Sequence, residues 1–190
     1  DLVKSLINLL AEKRVYHTPT LVNIENQIKG GGITVEEKSL LDKLPVGMVH
    51  NWRAVTPSIS ENWTESEYAV ARQGFENIKQ LAFLMYEAGA KLGVGSDTPN
   101  PWTFPGPGLF REMELLVECG IPARKVIQMA TRDAAAFLGN RFTDVGVISE
   151  GKTADIVILN DNPANNISAC RSIAHIVRNG QLPSHLENQT

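Results

Sequence analysis

The chain has 190 residues, of which 43% are hydrophobic, 21% charged and 6% aromatic, enough for one sizeable core with a small second unit. Its 15 Gly and 10 Pro are ordinary usage, which excludes collagenous, low-complexity and broadly disordered classes. The formal net charge of −3 and the lack of a dense basic run argue against nucleic acid as a partner. No apolar run approaches the roughly 20 residues of a membrane span, and the first residues carry no signal-peptide pattern. Cys119 and Cys170 have no second pair with which to build a zinc knuckle or a disulfide framework, so they read as small core residues in a reducing compartment such as the cytoplasm. Residue 1 is Asp rather than Met.

Leu2, Leu6, Leu9 and Leu10 recur at helical spacing, and Val15 to Leu21 then reads as an extended apolar strand with Pro19 near its end. From Asn23 to Asn62 the periodicity is broken by Gly30-Gly31-Gly32, Pro45 and Pro57, with one helix start at Thr34, where Glu37 completes a Thr-x-x-Glu capping box. This long excursion is expected to be either a lid over a site or a loop without regular structure. A second capping box, Thr64 with Glu67, opens a helix whose apolar side is marked by Val70, Phe75, Ile78, Leu81, Ala82 and Met85 as far as Gly89. Lys91 to Asp97 follows as a strand. Two strands each joined to a helix predict repeating β/α units and a parallel sheet.

Thr98 to Gly108 is a Pro/Gly-rich loop, Leu109 to Cys119 resumes helical spacing, Pro122 marks another helix start, and Thr131 is expected to cap a helix that closes at Gly139. Past a boundary at Asn140 to Asp144, Val145 to Ile148, Ala154 to Leu159 and Ile173 to Val177 read as strands, the last followed by the turn pair Asn179-Gly180.

Asp97 stands out as a site candidate. An ionisable group ending a Gly-rich apolar strand is costly without a partner, and the pleat places Gly93 and Gly95 on its face, leaving room there for a ligand or metal. The other reading makes Asp97 the cap of the turn that follows, because Ser-Asp-Thr-Pro is ordinary turn chemistry. Gly106-Pro107-Gly108 reads as a helix start, with free N–H groups as a second option. His17, His50, His175 and His185 stand singly, with His17 the least dismissible. Arg111, Glu112 and Glu114 are adequately explained as a solvated face early in a helix. Ser96 has no nucleophile setting, and neither cysteine has a reactive motif.

Taken together, Gly93-Val94-Gly95-Ser96-Asp97-Thr98-Pro99, Gly108 to Val117 with its Arg111-Glu112-Met113-Glu114-Leu115-Leu116, and Met129 to Gly139 with its Ala130-Thr131-Arg132-Asp133-Ala134-Ala135 resemble the C-terminal part of metal-dependent amidohydrolases. Glu150-Gly151-Lys152-Thr153-Ala154-Asp155 and Val177-Arg178-Asn179-Gly180 are similar to the tail strands of that family's small β domain. Leu9 to Lys13 with Thr18-Pro19-Thr20-Leu21 is similar to the seventh β/α unit of its imidazolonepropionase-like and prolidase-like members.

The resemblance implies an α/β fold. Residues 1–140 would be the last two β/α units, with extra helices, of a (β/α)8 TIM-like barrel, and residues 141–190 part of a small β-sandwich domain. Asp97 would end the eighth strand, ligating a divalent metal such as zinc and accepting a proton from the water that attacks an amide, cyclic amide or dipeptide C–N bond. The loop Thr98 to Gly108 would form a substrate wall. The family's His-x-His pair, its bridging carboxylate or carboxylated lysine and its two further histidines have no counterpart here, and a barrel takes about 250 residues. The expectation is therefore a C-terminal portion that is inactive alone, its partners being a small-molecule amide or dipeptide and the missing N-terminal part or an oligomer mate. The rival expectation is a degenerate, non-catalytic protein that acts by association with another chain.

Overall fold

The computed structural model describes residues 2–30, 32–56 and 63–182. Helix α1 (Leu2–Glu12) leads into strand β1 (Tyr16–His17), and then come helices α2 (Leu21–Lys29), α3 (Val35–Leu40), α4 (Val46–Thr56) and α5 (Glu65–Glu87). Strand β2 (Lys91–Leu92) is followed by α6 (Pro107–Glu118), α7 (Ala123–Gln128) and α8 (Ala134–Leu138), and strands β3 (Ile156–Leu159) and β4 (Ile173–Val177) end the described fold. β1 and β2 pair in parallel, Tyr16 opposite Lys91 and His17 opposite Leu92, as expected of consecutive β/α units. β3 and β4 pair antiparallel, with an irregularity at Ile158/Leu159.

One apolar core joins α1, α2, α5, α6 and α7. Leu21, Leu115, Leu116, Ile121 and Val126 are fully buried in it, with Phe75 and Met85 of α5 alongside. Val70, read as part of the apolar side of α5, instead faces solvent. The β3–β4 segment docks on α6 through the short helical turn Ile167–Arg171, where Ile167 and Ala169 are buried and the Arg171 guanidinium grips the Glu114 carboxylate at 2.8 Å.

Both capping boxes form as expected: Thr34 with Glu37 starts α3, and Thr64 with Glu67 starts α5. Five expectations are corrected. The strand expected over Val15 to Leu21 is confined to Tyr16–His17, because Thr20 takes a left-handed conformation (φ 50°) and turns the chain into α2 at Leu21. The excursion from Asn23 to Asn62 is not an irregular loop, being helical in α2, α3 and α4; this leaves the lid alternative standing, and residues 57–62 lie outside the described ones. The strand expected over Lys91 to Asp97 pairs only at Lys91–Leu92. Beyond the bond from Gly93 N–H to His17 O at 2.8 Å, its partner has turned away at Pro19.

The last two differences lie in the run from Ala123 to Leu138 and in the segment just after it. Thr131 caps nothing: its hydroxyl donates back to Ile127 O at 2.7 Å within a π-helical turn, Met129–Asp133, that joins α7 to α8. Val145 to Ile148 forms no strand either. Gly146, at φ 86°, lies against that turn, where a Cβ would come within 2.8 Å of Ala135 Cβ and 2.9 Å of Thr131 O. The expected close at Gly139 is present, with φ 84°.

Candidate functional site at the end of strand β2

Asp97 lies just past β2 with φ 58°, left-handed backbone that only Gly, Asn and Asp adopt at low cost. Its carboxylate is exposed, and Oδ2 accepts a hydrogen bond from Asn23 Nδ2 at 3.0 Å. The turn that follows is closed by backbone, Asn100 N–H donating to Asp97 O at 3.0 Å, so the side chain is free of turn duty. Asn23 is buried in the first turn of α2, where its own Oδ1 accepts from Gln27 Nε2 at 3.3 Å. That second bond fixes which way the amide faces.

The space expected beside Gly93 and Gly95 belongs to Thr18. A Cβ on Gly95 would lie 2.8 Å from Thr18 Cγ2, and one on Gly93 would lie 3.4 Å from Thr18 Oγ1. The glycines thus admit the end of β1 rather than a ligand. His17 has its Nε2 buried without a hydrogen-bond partner among the described residues, whereas His50 and His175 are exposed and His185 lies outside the described residues.

The loop from Thr98 to Gly108 is held from two sides. Asn26 of α2 donates its Nδ2 to Trp102 O at 2.9 Å and to Thr103 Oγ1 at 3.3 Å. From α4, Trp52 is buried and donates Nε1 to Pro99 O at 2.8 Å, packs edge-on against Phe104 with ring centroids 5.2 Å apart, and lies 5.7 Å from the Trp102 ring. Trp102 Nε1 in turn donates to Thr56 Oγ1. The α4 segment is therefore packed onto the loop next to Asp97.

The reading of Arg111, Glu112 and Glu114 as a solvated face is overturned. Arg111 reaches Glu25 of α2 with two nitrogens, at 2.8 and 3.0 Å, Glu114 is engaged by Arg171, and Glu112 is fully buried. Burial pushes the Glu112 carboxyl up to about 7, although the backbone N–H groups of Val22, Leu21 and Thr20 favour its ionised form. Burial likewise pushes the Cys119 thiol up to about 11, which makes it a poor nucleophile.

Sequence reasoning missed Asn23 and Asn26 and misread Glu112 as solvated. The one signal available was Asn23, Asn26 and Gln27 at helical spacing, a polar stripe among Val22, Ile24 and Ile28. A groove of about 550 Å³ between α2 and α5, lined by Ile28, Lys29, Arg72 and Phe75, does not reach Asp97. Among the described residues no three His, Cys, Asp or Glu side chains gather, so the described donors do not by themselves fit a metal ion. No described helix is long and apolar enough to cross a membrane.

Residues 7–182 match the profile of the Amidohydrolase family. A 5-methylthioadenosine/S-adenosylhomocysteine deaminase of Dictyoglomus turgidum is 27% identical over 151 residues, 75% of this chain and 30% of the deaminase. A crystal structure of a Xaa-Pro dipeptidase with methionine bound in its active site superimposes with a TM-score of 0.63 at 24% identity, over 93% of this chain and 36% of that one. A prolidase complexed with N-methylphosphonate-L-proline gives 0.61 at 20% identity, over 95% of this chain and 37% of that one. The chain thus spans about a third of the length of these relatives.

Proposed function

Because this chain belongs to the amidohydrolase family, we propose that it supplies the C-terminal part of a metal-dependent hydrolase of carbon–nitrogen bonds, acting on a small amide, a cyclic amide or a dipeptide. The observation that carries this reading is Asp97: an exposed carboxylate just past the C-terminal end of a parallel strand, oriented through one oxygen by a buried amide. Active sites of (β/α)8 barrels are built at that end of the strands. Asn23 occupies Oδ2, which leaves Oδ1 as the atom that would face the reacting centre.

In this reading residues 1–140 are barrel and residues 141–190 belong to the accessory β domain. Asp97 would be one ligand of a metal held mainly by the rest of the barrel, and would accept the proton of the attacking water. A catalytic zinc site commonly takes three protein ligands, so the others would come from strands other than β1 and β2. The loop from Thr98 to Gly108, pinned by Asn26 and Trp52, forms a substrate wall beside Asp97. A wall held in place from two helices favours a small substrate over an extended polymer. The likeness to the dipeptidase and prolidase structures supports a dipeptide, and the deaminase relative supports a non-peptide C–N bond.

The reading is tested by the reading frame upstream of codon 1. It requires a His-x-His segment roughly 250 to 300 residues upstream, the distance that a complete barrel sets. A start codon placed immediately before this chain would contradict it.

A further inference from the structure

Helix α2 carries both amides that organise the candidate site, Asn23 on Asp97 and Asn26 on the loop, yet it begins without a local cap. Thr20, its N-cap residue, sits at φ 50° and ψ 43° and makes no side-chain capping bond. The first N–H groups of a helix have no partners within it, and leaving them buried and unpaired is costly. Leu21 and Val22 are almost wholly buried, so water is a poor substitute. The partner comes from 90 residues away: Glu112, inside α6, accepts from Val22 N–H through Oε2 at 2.8 Å. A carboxylate at this place also complements the positive end of the α2 dipole.

The same stretch of α6 reaches the end of strand β2. Gly108, one turn before Glu112, packs on Ser96, so closely that a Cβ there would lie 3.3 Å from Ser96 Cβ. One helix therefore abuts the residue before Asp97 and caps the helix whose amide holds Asp97. Arg111 adds a second, half-buried tie between the same two helices through Glu25.

We propose that Glu112 is a positioning residue: by capping α2 from α6 it sets the start of that helix, and through it the Asn23 amide on the Asp97 carboxylate. Its relevance to catalysis rests on the assignment of Asp97 given above, whereas the coupling between Glu112 and the Asn23–Asp97 contact does not.

The test is NMR on the 15N-labelled 190-residue chain, following amide exchange at Val22 and the side-chain amide signals of Asn23. Glu112→Met keeps the volume and removes the acceptor, and Glu112→Gln keeps an acceptor. In Glu112→Met, Val22 exchange is expected to accelerate roughly five- to tenfold, as loss of a cap implies. The Asn23 side-chain signals should then move to the positions they take in Asp97→Ala. In Glu112→Gln both should stay close to the parent. Asn23 signals that remain in place in a folded Glu112→Met variant overturn the proposal, as does a Glu112→Gln variant that loses the contact. If Glu112→Met does not fold, Glu112→Gln decides alone: retention of both signals supports the proposal and their loss refutes it. Failure of the Asp97 assignment would show elsewhere, as full turnover by Asp97→Asn, with these spectra unchanged.

Discussion

Glu112 is where the balance of forces at a single residue is most open to measurement. Burial raises its pKa to about 7 from an ordinary 4.5, with Glu25 adding a smaller push in the same direction and the α2 amides pulling it down. Cys119, the other titratable group coupled to it, carries no charge at these pH values. Between about pH 4.5 and 7 the folded chain holds a proton on Glu112 that the unfolded chain has released. Its contribution to stability is thus greatest at low pH and declines as pH rises through 7. Glu112→Gln removes this slope, so the variant should gain stability relative to the parent between pH 5 and pH 8, read as denaturant midpoints. A difference that stays constant with pH would contradict the assignment. At the strand ends, Gly95→Ala drives a Cβ into Thr18 Cγ2, a stiff β-branched group, and should destabilise the chain by about 1–3 kcal/mol. Thr18→Ser removes that methyl and should recover most of the loss in the double variant; no recovery would mean that the strain lies elsewhere.

Among the elements, α4 has the clearest separable role. Trp52→Phe keeps a ring against Phe104 but deletes the donor to Pro99 O, a loss of about 1 kcal/mol. Backbone exchange at Asn100 and Thr103 should accelerate, and unchanged exchange would show that Asn26 alone holds the loop. Much at this scale was readable in the sequence, because some signals are local. Thr34 with Glu37, Thr64 with Glu67 and the left-handed Gly139 each act within one helical turn, and Asn179-Gly180 closes a tight turn between Arg178 and Gln181. What escaped depends on partners distant along the chain. Helix α2 has a proline and an uncapped threonine at its start and owes its cap to α6, so its local signals read as strand and then loop. Strand β2 ends where its neighbour leaves, which no residue within Lys91 to Asp97 announces. Glu112 fits the dipole rule for early-helix acids as well as Glu114 does, and only the burial of α6 separates them.

For the whole molecule, a parallel pair of two-residue strands is too small to be a sheet by itself, and among the described residues β1 and β2 pair with nothing else. Leu2, Leu6 and Leu9 of α1 are also exposed. A (β/α)8 barrel would give both strands outer neighbours, and the relatives that this chain matches are about three times its length. Asp97 was readable as the candidate from its strand-end position. Its orienting partner was not, because Asn23 stands 74 residues earlier and meets it only through the packing of α2 on α6. The proposed place of Asp97 in the reacting centre of a carbon–nitrogen hydrolase is open to direct measurement. Turnover of an Xaa-Pro dipeptide and a cyclic-amide panel should be compared between the parent and Asp97→Asn, in the form of the protein that contains the complete barrel. A fall of at least about 10²-fold with circular dichroism unchanged is expected, the scale set by loss of a general base. Turnover equal to the parent's in a folded Asp97→Asn variant would contradict it.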